Sequence, residues 1–119
     1  METKSKHIDL TYLKQLANGS NEFICQMISV FMVQTPEALI NMEKYMNGKD
    51  WKALHGIAHK MKPSFAFMGI KELESIVLLV EDSCQKETNL SQIPQWIAKI
   101  KETCTVALEE LEIEKKLFM

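Results

Sequence analysis

The chain has little with which to cross-link itself: Cys25, Cys84 and Cys104 are odd in number, far apart and without a CxxC pair. That suits neither a disulfide framework nor a thiolate metal site, so all three are expected as buried, reduced core residues. Charge of one sign is missing as well. With 14 basic and 16 acidic side chains the formal net charge is -2, too balanced to coat a polyanion, which argues against nucleic acid as a partner. No apolar run approaches the roughly 20 residues of a membrane-spanning helix. The opening METKSKHIDL has no apolar signal-peptide core. No membrane partner is therefore expected, and the expected location is the cytoplasm.

Punctuation is sparse too. Repeats, low-complexity tracts and Pro/Gly/Ser-rich linkers are absent, and no segment sustains the two-residue alternation of a strand. Nor is there a glycine-rich nucleotide loop, a Walker or kinase-like set, or a paired carboxylate and nucleophile at helical spacing. ATP-dependent chemistry is not expected.

What is present is helix. At 119 residues, 46% apolar and 25% charged, the chain suits one domain, residues 1–119, that buries roughly two-thirds of its unfolded surface. Asn18-Gly19, Asn47-Gly48, Gly69 and the polar run 87–92 divide it. Asp9 can cap a short first helix with Leu10, Leu13 and Leu16 on its apolar side. Ser20 or Asn21 can cap a second helix reaching Met46, whose inner stripe reads Phe23, Met27, Phe31, Ala38, Met42 and Tyr45. Thr35-Pro36 can start a separate helix or kink a single one, and because the stripe stays in phase one long kinked helix is expected. Asp50 can cap a third, with Leu54, Ala58, Met61 and Phe65 inward. Leu73, Ile76, Val77, Val80 and Cys84 serve a fourth; Trp96, Ile97, Ile100, Cys104, Ala107, Leu108 and Leu111 serve a fifth. The expected fold is all-α: an up-and-down antiparallel four-helix bundle over about 20–115, with a short extra helix at about 8–18.

One segment carries more than a core needs. KALHGIAHKMKPSFAFM, Lys52 to Met68, holds two histidines, three lysines, a glycine and a proline. With Leu54, Ala58, Met61 and Phe65 inward, the helical period turns His55, His59, Lys62 and Ala66 toward solvent. A neutral imidazole there is an open nucleophile that can attack phosphorus. Lys60 and Lys62, one and three residues on, can hold the negative group being moved.

At this point the residues carry a family likeness. AHKMKPSFAFMGIKEL, Ala58 to Leu73, resembles the motif AHxLKGxxxxxGxxxL of the histidine-containing phosphotransfer (HPt) family. Upstream, FMVQTPEALINM and then NGKDWKALHGIAH look like the family's proline-containing helix and the approach to its active helix, so the resemblance covers roughly Phe23 to Gln85. It implies that His59 is phosphorylated, that Lys62 assists the phosphate and that Gly69 ends the active helix. Met61 and Leu73 take core leucine places. Pro63 stands where the family usually has glycine, a departure that bears on the local backbone and on how closely a partner approaches.

The resemblance further implies a phosphocarrier rather than an enzyme. His59 would take a phosphoryl group from the aspartyl phosphate of one receiver domain and pass it to the aspartate of another. The partners would be receiver domains of hybrid sensor histidine kinases and of response regulators; they would supply the divalent metal, and this chain, a monomer, would need no cofactor.

Each residue also has a plainer account. Lys60 and Lys62 can be the wet side of an amphipathic helix, and His7 can lie in a frayed terminus. His55 and His59 are spaced for a metal, but Gly56 follows His55, so the HExxH signature is absent and no metal site is expected. Ile24, Ile28 and Met32 form a second stripe on the long helix that can pack on the first helix or dock a partner. His55, Gly56, Pro63, Ile28 and Met32 are the candidate docking residues. The competing function is a helical adaptor whose His59 is never phosphorylated.

Overall fold

The computed structural model describes residues 7–119. Helix α1 spans Thr11–Ala17, α2 Asn21–Asn47, α3 Trp51–Phe67, α4 Lys71–Lys86 and α5 Ile93–Lys115; short 3-10 turns, Leu90–Gln92 and Lys116–Phe118, flank α5. Helices α2 to α5 form the four-helix bundle: α3 packs most extensively on α4, α2 lies against α3 and α5, and α4 against α5. The short α1 sits on α2.

The caps are local chemistry. Ser20 Oγ accepts from the Phe23 N–H at 3.1 Å and opens α2; the Asp50 carboxylate accepts from Ala53 N–H at 3.2 Å and opens α3. Asp9 accepts from Thr11 N–H at 3.0 Å, one residue ahead of the cap position, which Leu10 occupies. Asn18 ends α1 in the left-handed conformation. Both Pro36 and Pro63 lie inside their helices, and neither ends one.

The core faces follow the period with one shift. Leu54, Ala58, Met61 and Phe65 of α3 are buried as expected. On α2 the buried face is Ile24, Ile28, Phe31, Thr35, Ala38 and Met42, while Phe23, Met27 and Tyr45 are only half-buried. The stripe of the N-terminal half is thus rotated by one residue, because the branched Ile24 and Ile28 take the inward positions. Ile28 is completely buried, which corrects the expectation that it docks a partner: it has no surface to offer. Met32 is half-buried against the core. In α1, Leu16 is 46% exposed and Ala17 takes its place inside. Ile76, Trp96 and Leu108 are also only half-buried.

Cys84 and Cys104 are buried, and burial pushes their thiols up to about 11 and about 12. Cys25 is half-buried instead, its Sγ 3.9 Å from the Lys115 carbonyl. By length and composition α2 could cross a membrane, contrary to the sequence expectation. In the bundle a third of that apolar stretch is buried, while Val30, Val33 and Ile40 stay exposed.

The N-terminal segment is tied down, so His7 is not frayed. Its backbone N–H and that of Ile8 donate to Glu110 Oε1 of α5 at 2.7 and 3.3 Å, and its Nδ1 meets Glu110 Oε2 at 2.8 Å. Two residues on, Asp9 N–H donates to the Met68 carbonyl at 3.0 Å. This approach is why residue 69 is glycine: its φ is +65°, and a Cβ there would lie 2.0 Å from the Asp9 carbonyl oxygen.

Candidate functional site

Helix α3 sets His55, His59 and Lys62 on the face away from its buried stripe, and α4 aims Glu81 at them. Glu81 occupies the inner stripe of α4 among Val77, Val80 and Cys84 and is 8% exposed. A carboxylate buried there must be paired. Its Oε2 is hydrogen-bonded to His59 Nδ1 and its Oε1 accepts from Lys62 Nζ at 2.8 Å. His55 Nε2 lies 3.9 Å from the same Oε2, and the two imidazole rings stand 6.2 Å apart within 8° of parallel.

Burial pushes the Glu81 carboxyl up, but the hydrogen bonds from Lys62 and His59, with their charges, outweigh it and hold the group below the ordinary glutamate range. Glu81 is therefore an ionised, accepting group. An ionised carboxylate cannot donate, so the hydrogen of its bond to His59 belongs to Nδ1. In the neutral ring this leaves the lone pair on Nε2, on a side chain that is 67% exposed. The arrangement presents a nucleophilic nitrogen to solvent and pins the opposite edge of its ring to a fixed negative charge.

The other expected residues are dispersed around this centre. Lys60 is exposed and makes no ion pair among the described residues. The chain has no arginine, so Lys62 is the fixed positive charge on Glu81. Gly56 and Pro63 are exposed beside His59, and a Cβ at Gly56 would meet nothing within 4 Å. Pro63 has no N–H to give the His59 carbonyl, four residues before it. Among the described residues no group of three or more His, Cys, Asp or Glu is arranged to hold a metal ion.

Glu81 is the residue that sequence reasoning missed. One signal could have found it: an acid lying in register with Val77 and Cys84 on an apolar stripe has to meet a cation or donor from a neighbouring helix.

Comparison with known proteins extends the picture. The family model described as "Hpt domain" matches residues 26–112. The crystal structure of histidine-containing phosphotransfer protein B from Pseudomonas aeruginosa PAO1 superposes with a TM-score of 0.87, covering 98% of this chain and 100% of that one at 19% identity. At that identity the likeness shows the shared fold. No curated protein matches the chain in sequence.

Proposed function

The chain belongs to the Hpt domain family, whose members carry phosphoryl groups on histidine in phosphorelays, and from that premise we propose that His59 accepts the phosphoryl group on Nε2. The observation that carries this reading is the bond from His59 Nδ1–H to the ionised Glu81, which leaves Nε2 as the exposed lone pair. The donor is the aspartyl phosphate of a receiver domain. The N–P bond forms as the P–O bond to the aspartate breaks, and the aspartate leaves as a carboxylate. Phosphorylation leaves the ring positively charged with the Nδ1 hydrogen in place, and Glu81 offsets that charge. A second receiver's aspartate then attacks phosphorus and His59 departs as the neutral imidazole.

Lys62 lies one turn from His59 and can turn from Glu81 to the phosphoryl oxygens, with exposed Lys60 as a weaker aid. The divalent metal that screens the transferring group belongs to the receiver. His55, Gly56, Pro63 and half-buried Met32 are the docking candidates with surface to offer. The same reading implies a cytoplasmic, monomeric carrier in which this chain forms one Hpt domain.

Incubation with a receiver domain phosphorylated by a small-molecule donor tests the proposal. His59 should acquire an acid-labile, alkali-stable phosphoryl group and lose it to a second receiver. Binding of the receiver without label on the wild-type protein would favour the adaptor instead.

A further inference from the structure

Glu81 has one carboxylate and three neighbours able to carry positive charge. Lys62 takes Oε1 and His59 takes Oε2, while His55 Nε2 stands 3.9 Å from that same Oε2. The distance is too long for a hydrogen bond and short enough for the charge on either group to act on the other. A carboxylate oxygen has two acceptor directions, and His59 fills one.

Before transfer the fixed charges balance, Lys62 against Glu81. A phosphoryl group brings roughly one and a half to two negative charges one helical turn from His55, of which the positive ring of His59 offsets one, so the site gains about one net negative charge. Lys60 and Lys62 are already charged and Glu81 is held ionised, so none of them answers by taking up a proton. Resting on the reading of His59 as acceptor, we propose that His55 is a positioning residue that takes up a proton as His59 is phosphorylated and closes onto the free acceptor direction of Glu81 Oε2. The N–P and P–O bonds change as described above. The proton on His55 comes from water and returns to it when the phosphoryl group leaves.

The charged surroundings of His55 are few. Its own helix carries exposed Lys52 one turn before it and His59 and Lys62 after it; α4 contributes Glu81, and the next acid and base there, Asp82 and Lys86, pair with each other at 3.2 Å. Among the described residues no ion pair reaches His55 from α2, the other helix against α3. Glu81 at 3.9 Å and the parallel ring of His59 at 6.2 Å are thus the groups through which His55 senses the change.

The test follows the imidazole Cε1–H signals, assigned with single His→Gln variants, through a pH titration before and after charging with phosphoramidate or a phosphorylated receiver. Charging, verified by intact mass, should raise the proton affinity of His55 about threefold, as expected for about one added net negative charge at this range, and leave His7 unmoved. Lowering the pH from about 8 to 6 should shift the transfer equilibrium toward phospho-His59 about threefold more in the wild type than in His55→Gln. An unchanged His55 titration in the charged protein, or identical pH profiles for the two proteins, overturns the inference. Failure of His59 to charge from either donor is a different result: it removes the reading of the site, and the inference falls with it.

Discussion

Among the described residues two histidines are hydrogen-bonded to glutamates, and the two couples are built differently. In each, a histidine Nδ1 meets a glutamate Oε2 supplied by another segment. In each, burial pushes the carboxyl up while hydrogen bonds bring it below the ordinary range. What differs is the use of the second oxygen. Glu110 gives Oε1 to the backbone N–H groups of His7 and Ile8, whereas Glu81 gives Oε1 to the Lys62 ammonium and keeps His55 within reach. The first couple fastens chain to chain. The second holds an ammonium beside a ring that is 67% exposed, against 35% for His7. A histidine–carboxylate pair is thus not a site in itself; the remaining partners of the carboxylate decide.

The widest separation should come from exchanging the histidines themselves. His59→Gln should reduce label uptake from a phosphorylated receiver to background with little change in melting temperature, because the side chain faces water. His7→Gln should transfer normally and melt lower. Label on His59→Gln would end the distinction.

The glutamates come next. Glu81→Gln should slow transfer by about 10- to 100-fold, the usual cost of losing an orienting partner, while Glu110→Gln should leave transfer intact and cost about 1.5–3 kcal/mol of stability through its charge-assisted bonds. Acid unfolding sharpens this. Because both carboxyls lie lower in the folded protein than the value of about 4.3 for an unfolded glutamate, their contribution is complete above that pH and is lost as the pH falls through the folded values. Glu110→Gln should therefore flatten the acid limb of the stability curve, and an unaltered limb would show the tie to be idle.

A smaller effect is expected at Lys62. Lys62→Ala should slow transfer about tenfold, a barrier change of about 1.4 kcal/mol, and Lys60→Ala should do less; equal rates for Lys62→Ala and wild type would remove the ammonium from the mechanism. The smallest concerns the backbone. Pro63→Ala restores a donor for the His59 carbonyl and should raise the melting temperature by a few degrees, a gain that calorimetry would detect.

How much of this the sequence disclosed depended on whether the deciding neighbour was close along the chain. The α3 stripe and its Asp50 cap were legible because cap and period are local, and the motif around His59 is local in the same way. The face of α2 was not: Phe23-Met27-Phe31 and Ile24-Ile28-Phe31 both satisfy helical spacing, and only the helices packed around them choose. Glu81 was hidden for the same reason, since its partners lie 22 and 19 residues away on another helix. His7 was hidden further still, 103 residues from Glu110.

Those separations also bear on the order in which the molecule comes apart. Closing a loop of 103 residues rather than 22 costs about 1.4 kcal/mol more in chain entropy, so the fastening of the N-terminal segment gains least from local contacts and should be the first to open. The α3–α4 hairpin, which holds His59, Lys62 and Glu81, assembles from near neighbours and outlasts it. Native-state hydrogen exchange should then find the Asp9 amide, bonded to the Met68 carbonyl at 3.0 Å, protected far less than the amides of Ala58 and Met61. On the reading of His59 as phosphoryl acceptor, an opening of residues 7–17 would leave the α3–α4 hairpin in place, so the lifetime of the phosphoryl group would not depend on how tightly Glu110 holds the N-terminal segment.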